Sequence, residues 1–272
     1  MPNVALTVEK HDHIAEVILR GPGKGNAMGP DFWRECPIVI AELDADDDVR
    51  AIILRGNGGT FSFGLDLRSM MGELGPLTTG EVLAAERTKL LRLVAELQRV
   101  PDAIEQCKKP VICAITGWCI GGGIDIAAAC DVRLASADAK LSVREVRVAM
   151  VADIGSLQRL PRIIGQGMTR ELALTGDDID ATEALRIGLV NHVYADETAL
   201  LEAARAMAKR MAENPPLVVQ GVKEVLNYCA DKSIADGEKF VAVWNAAFLA
   251  SHDLFEAIGA FSEKRAPQFK GK

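Results

Sequence analysis

No stretch of this 272-residue chain gathers lysine and arginine into a long run, and the formal net charge is −7 with a pI near 5.3. Gripping a phosphate backbone needs a basic face, so nucleic acid is not the expected partner. No apolar run reaches the length that spans a bilayer, and the opening "MPNVALTVEKHDH" lacks the basic-then-apolar order of a secretory signal. No membrane partner is expected either. The six cysteines (36, 107, 113, 119, 130 and 229) show neither CxxC nor Cys/His metal spacing and sit mostly in apolar segments. They read as small core residues in a reducing compartment. A cytosolic enzyme fits, and the final "KGK" is not a peroxisomal address.

Familiar catalytic signatures are missing too. The chain has no G-x-S-x-G elbow, no H-E-x-x-H and no P-loop, and "GPGKGN" lacks the last glycine of G-x-G-x-x-G. The four histidines (11, 13, 192 and 252) share no spacing and read as structural or exposed. Any chemistry then falls to carboxylates and to the main chain itself.

What the chain does have is 49% hydrophobic against 25% charged residues, enough for a core that holds a buried site. Residues 5 to 20 alternate around the polar turn "HDH" and predict a hairpin. "VRAIILRG" (49 to 56) and "PVICAITG" (110 to 117) are short, almost wholly apolar strands of the kind buried on both faces, each ending in glycine. "CDVRLASAD" and "KLSV" predict two more strands, with helices near 30 to 44, 80 to 107 and 122 to 130. In "DATEALRIGLV", Asp180 with Glu183 makes a capping-box start and Gly188 a stop, before a strand "LVNHVY". Beyond about 198 the strands give way to amphipathic helices broken at "NPP" and "DKS". The expected class is α/β: a mixed core over residues 1–197 and a helical appendage over 198–272. The closing "EKRAPQFKGK" concentrates positive charge locally. It reads as a solubilising tail or as a contact for an anionic ligand.

The stretch "GWCIGGGIDIAAACD" (117 to 131) places three glycines at the start of a buried helix. Glycines there expose N–H groups without intrahelical partners and let a ligand approach the main chain, at the positive end of the helix dipole. Tight strand–helix packing is the plainer explanation. A second element, "GTFSFGLDLRSM" (59 to 70), follows another strand and again offers a glycine, Gly64. Two strand ends can thus each aim one N–H at a single carbonyl oxygen. Three acids accompany them: Asp125 directly after the glycines, Glu145 in "SVREVRVAM" and Asp153 in "VADIGSLQRLP". Each could pair with Arg133, Arg144, Arg147 or Arg159. Left unpaired in apolar surroundings, they form a set able to move protons between carbons.

Taken together, "GWCIGGGIDIAAACDVRLAS", "FSFGLDL", "GSLQRLPRIIG", "DATEALRIGLVNHV" and "AFSEKRAPQF" resemble the crotonase, or enoyl-CoA hydratase/isomerase, superfamily over nearly the whole chain. The resemblance implies a ClpP-like spiral of ββα turns that binds acyl-CoA, with residues 198–272 as a helical C-terminal trimerisation region. It implies a homotrimer or a dimer of trimers. It places the two oxyanion-hole donors on Leu65 and Gly122, with Gly64 and Gly121 beside them. An adenine-binding loop falls around Ser62 and Phe63, and Lys264 could reach a CoA phosphate on an adjacent subunit. No metal or redox cofactor is implied, coenzyme A being part of the substrate.

In the hydratases of that superfamily the position of Asp125 is typically glutamate and that of Asp153 typically glycine. The trio here is instead similar to the Δ3,5-Δ2,4-dienoyl-CoA isomerases. The resemblance then implies Glu145 acting at C2 and Asp153 at C6, an order that could be reversed, with Asp125 in a polar supporting role. A 2-enoyl-CoA hydratase working with Asp125 and Glu145 is the alternative enzyme, and a non-catalytic acyl-CoA- or RNA-binding relative the alternative of another class. The loop "GPGKGNAMGP" departs from the superfamily pattern: no bulky residue precedes Asn26-Ala27, and Met28 follows.

Overall fold

Asp12 and His13 both carry left-handed φ angles, 49° and 66°. A two-residue turn of that kind matches the twist of a hairpin. It joins β1 (Leu6–His11) to β2 (Ile14–Leu19) with Leu6 opposite Leu19, the hairpin expected over 5 to 20. The computed structural model describes residues 3–21, 24–80 and 83–272. Pro22 and Gly23 of "GPGKGN", and Glu81 and Val82 of the helix expected over 80 to 107, lie outside them.

After the hairpin come α1 (Pro30–Ala45), β3 (Ala51–Arg55), α2 (Leu67–Thr78), α3 (Ala84–Gln106) and β4 (Val111–Ile115). The chain continues through β5 (Trp118–Ile120), α4 (Gly122–Ala129), β6 (Val132–Ser136), β7 (Lys140–Ser142), α5 (Ser156–Ile163), α6 (Gly165–Thr175), β8 (Ile179–Asp180), α7 (Ala181–Arg186) and β9 (His192–Tyr194). Four helices follow: α8 (Glu197–Ala212), α9 (Pro216–Cys229), α10 (Ile234–Phe248) and α11 (His252–Glu263). Helices α2, α5, α6 and α11 were not among those expected from the sequence.

One sheet runs in the order β1-β2-β3-β4-β6-β9, parallel from β2 onward. The apolar strands are covered on both faces, which is why they show no polar alternation. Ile52, Leu54, Val111, Cys113 and Ile115 face the main core, whereas Ala51, Ile53, Ile112 and Ala114 face Leu200, Ala204 and Ala208 of α8. Helix α8 therefore packs on the sheet. The division expected at 197/198 falls ahead of this helix, because small alanines at helical spacing let it lie flat on the strands; the core extends through α8. Five of the six cysteines are buried and all are free thiols.

A smaller sheet, β5-β7-β8, sits beside the first. Two isolated parallel bridges extend it, Ser62 to Cys119 and Met28 to Leu65. They bring the loop after β3 alongside β5, just ahead of α4. Asn26 braces that loop, its side-chain amide donating to the carbonyls of Asn57 (2.8 Å) and Thr60 (2.7 Å).

Helix α9 is tied down by a buried cation. Lys223 Nζ donates to the carbonyls of Ile104 and Lys109, each at 3.2 Å, and to Asp131 Oδ2 at 2.7 Å. The C-terminal tail is docked too. Asp253 accepts from the main-chain N–H of Lys270 and Gly271, Arg50 donates to the carbonyl of Phe269, and Arg265 pairs with Glu256 and Glu263. Removing a buried donor leaves the groups that accepted from it unsatisfied. Asp131 keeps water on one side, whereas the two carbonyls would lose a buried donor, so Lys223→Ala is expected to lose about 1–3 kcal/mol of stability in urea titration.

Candidate active site

The site is assembled from the two strand ends picked out by their glycines. Gly64 has φ of 80°, and a Cβ there would stand 2.5 Å from the carbonyl oxygen of Ile120 and 3.1 Å from the nitrogen of Gly122. Only glycine lets the loop after β3 press against the start of α4. Met28 donates to Gly64 O (2.7 Å) and accepts from Asp66 N (3.0 Å), so the intervening Leu65 turns its own N–H away from Met28. That N–H lies 3.6 Å from where a Cβ on Gly122 would be. Gly122 opens α4, so its N–H has no carbonyl one turn back. Neither amide donates to another group among the described residues. Gly121 is different: its φ of 53° turns the chain, and its N–H donates to Ser142 O at 3.0 Å.

Leu65, Gly121, Gly122, Phe63 and Glu145 line one cavity of about 130 Å³. Leu67, Ile120, Arg144, Val148 and Met150 complete it. Phe63 stands half in solvent at its mouth, edge-on to Trp118 with centroids 6.5 Å apart. Arg144 lies over the same Trp118 ring at 5.2 Å.

Asp125 is buried on α4, and its Oδ1 accepts from the N–H of Ser156, the first residue of α5, at 2.5 Å. Glu145 begins a short 3-10 turn, with Oε1 3.1 Å from where a Cβ on Gly121 would be. Burial, then the charge of Asp125, pushes the Glu145 carboxyl up to about 7. Burial also raises Asp125, to about 6, against the N–H and the nearby hydroxyl of Ser156, which lower it. Asp153 is exposed in the single chain, and its partial desolvation raises it as well. Gln98 of α3 holds the main chain at that point, donating to Asp153 O at 2.6 Å.

None of the four arginines pairs with these acids. Arg144 binds Asp178, Arg147 binds Asp177, and Arg159 binds Asp102 and Glu105. Arg133 donates to the carbonyls of Leu189 and Cys130. Asp125 Oδ2 and Glu145 Oε2 are left buried without a partner among the described residues.

One expectation changes. Ser62, expected in a ligand-binding loop, is fully buried, and its hydroxyl donates to Asn26 O (2.8 Å) while accepting from Gly64 N (3.0 Å). Its main-chain N–H and carbonyl are engaged with Trp118 and Ile120, so every polar atom of Ser62 goes into shaping the loop. Lys264 caps the end of α11 with a φ of 55° and is not among the residues lining the cavity. Sequence reasoning also missed Ser156 and Gln98, and took Arg144 only as a possible partner of the acids, not as a residue lining the cavity. Only the "DIGS" junction ahead of α5 carried a local signal, a small polar residue at a helix start. Met28, the departure from the expected loop pattern, sends its methyl group to the space beside Gly122, 2.9 Å from an added Cβ.

The profile of the enoyl-CoA hydratase/isomerase family matches residues 9–272. The chain is 45% identical to the mitochondrial Δ(3,5)-Δ(2,4)-dienoyl-CoA isomerase of Dictyostelium discoideum, over 97% of this chain and 91% of that protein. It is 41% identical to the peroxisomal Δ(3,5)-Δ(2,4)-dienoyl-CoA isomerase of Arabidopsis thaliana, over 94% and 92%. Among solved structures, enoyl-CoA hydratase from Bacillus anthracis superposes with a TM-score of 0.90 at 29% identity, covering 99% of this chain and 100% of that one.

A carboxyl whose native pKa is raised binds its proton more tightly folded than unfolded, so its ionisation costs stability as pH rises. For Glu145 the cost begins near its ordinary 4.5, grows to about 7 and then levels off. Glu145→Gln is therefore expected to exceed the unsubstituted protein in stability at pH 8 and to lose that lead at pH 4.5, as read by denaturant titration at both. Gly64→Ala meets both left-handed strain and the Ile120 carbonyl, whereas Gly58→Ala (φ 69°) meets open space. The first should lower the melting temperature clearly more than the second, which pays roughly 1–2 kcal/mol for φ alone.

Proposed function

The chain belongs to the enoyl-CoA hydratase/isomerase family, and from that premise we propose that it converts 3,5-dienoyl-CoA to 2,4-dienoyl-CoA through a dienolate held by two main-chain amides. The observation that carries the reading is the pair of undonated N–H groups of Leu65 and Gly122, side by side in a cavity that Glu145 also lines.

The thioester oxygen accepts from both amides. Glu145 as carboxylate takes a proton from C2, and the electron pair moves into the conjugated system, putting negative charge on that oxygen. Asp153 as carboxylic acid returns a proton to C6, and the double bonds come to rest at C2 and C4. Its raised pKa favours the protonated form that this step needs. Glu145, raised to about 7, is an anion in useful amount at neutral pH and still basic enough to accept the proton. Asp125 supports both from beneath. The scheme uses no metal or redox group.

The same proposal includes a trimer or dimer of trimers, supported by Phe255, Ile258 and Phe261 of α11, which are exposed in the single chain. Lys264, directly after that helix, would then reach a CoA phosphate on a neighbouring subunit. The cytosolic placement remains part of the proposal.

Incubation with 3,5-dienoyl-CoA should raise 2,4-diene absorbance; addition of water to 2-enoyl-CoA with no such rise would overturn the reading and favour a hydratase. Asp153→Asn removes the acid at C6. It is expected to lower isomerisation by about 10²–10⁴-fold while largely sparing any hydration.

A further inference from the structure

Five buried side-chain atoms lack a hydrogen-bond partner among the described residues, and three of them belong to Asp125, Glu145 and Ser156. These three residues converge. Gly121 and Asp125 lie one turn apart on the same face of α4, as the hydrogen bond from Asp125 N to Gly121 O records, and Glu145 Oε1 packs against Gly121. Ser156 meets the Asp125 carboxylate through its N–H at 2.5 Å, and its hydroxyl acts on the same carboxylate, favouring the anion, while making no well-aligned hydrogen bond of its own. A hydroxyl can donate to a carboxylate or accept from the protonated acid.

We propose that Ser156 is a positioning residue of this site: its main-chain N–H and its hydroxyl together hold Asp125 as an anion facing Glu145, and so govern when Glu145 is free to act as base. This rests on the function proposed above and assigns Ser156 no contact with substrate.

The surroundings of Asp125 leave this task to Ser156. The charged and titratable groups that face it are Glu145 on the 3-10 turn, Asp153 ahead of α5, Arg159 on α5 and Cys119 on β5. Arg159 is committed to Asp102 and Glu105. Burial and neighbouring groups keep the Cys119 thiol neutral. The two carboxyls repel Asp125. Ser156 therefore supplies the N–H that the anion accepts among the described residues, and its hydroxyl is the further donor assigned to it here.

Ser156→Ala keeps the N–H and removes the hydroxyl. Asp125 then takes up a proton more readily, its charge opposes ionisation of Glu145 less, and Glu145 becomes an anion at lower pH. Measured as kcat/KM against pH, the acid limb of Ser156→Ala should move down by about half a unit to one unit, less than the roughly 1–2 units of one lost hydrogen bond to a charge because the change reaches Glu145 through Asp125. Ser156→Thr, which keeps the hydroxyl, should restore the original limb. A lowered plateau with an unmoved limb would mark a merely structural role and overturn the proposal, as would a threonine variant shifted as far as alanine. Should the alanine variant not fold, Ser156→Cys, with its weaker donor, is expected to move the limb in the same direction, and an unmoved limb there overturns the proposal equally. The profile is taken on whichever thioester the unsubstituted enzyme turns over. Failure to isomerise 3,5-dienoyl-CoA thus sinks the reaction, and an unmoved limb sinks the role of Ser156.

Discussion

The structure turns on the close approach of two backbones: the loop after β3 and the start of α4 press together at Gly64 and Gly122. Unpaired N–H groups are expensive to bury and are normally satisfied by neighbouring elements. Here the geometry denies two of them a partner while holding them side by side. Leu65 is flanked by residues whose bonds to Met28 fix its direction, and Gly122 sits where a helix has no carbonyl to offer. A carbonyl oxygen gaining negative charge is the group that such a pair best accommodates.

Around that pair, the electrostatics depend on where the arginines go. Four cations stand near the three acids in sequence, and all four are held elsewhere, by Asp177, Asp178, Asp102, Glu105 and main-chain carbonyls. Because no guanidinium reaches them, burial dominates the acids and raises all three. Asp125 does two jobs at once. It caps the first turn of α5, and its charge raises Glu145. Ordering of the loop that carries Asp153 and tuning of Glu145 are thus linked through one carboxylate, with Gln98 steadying the loop from α3.

The elements most legible in the sequence were those whose signals are local. The hairpin turn at Asp12 and His13, the wholly apolar β3 and β4, and the cap of α7 by Asp180 each depend on neighbours within a few residues. Helix α8 was legible as a helix but not as part of the core, since its alanines do not say what they pack against. Ser62 misled for a similar reason: a serine beside a functional glycine looks available, and only the packed loop takes up its hydroxyl, N–H and carbonyl. Gln98 carries no local signature, and the small polar residue at a helix start that marks Ser156 does not say which residue it meets, because each acts on a residue distant in the chain.

The sequence by itself determined the residue types the site needs, glycines that permit positive φ or close approach and acids set in apolar stretches, since those are properties of single residues and their near neighbours. It also determined the strands whose ends carry them. Tertiary structure alone decided that Leu65 and Gly122 point to one place, that the arginines turn away from the acids, and that Ser156 meets Asp125. Each of these is a relation between segments brought together by packing, and hydrogen bonding and desolvation act across space, not along the chain.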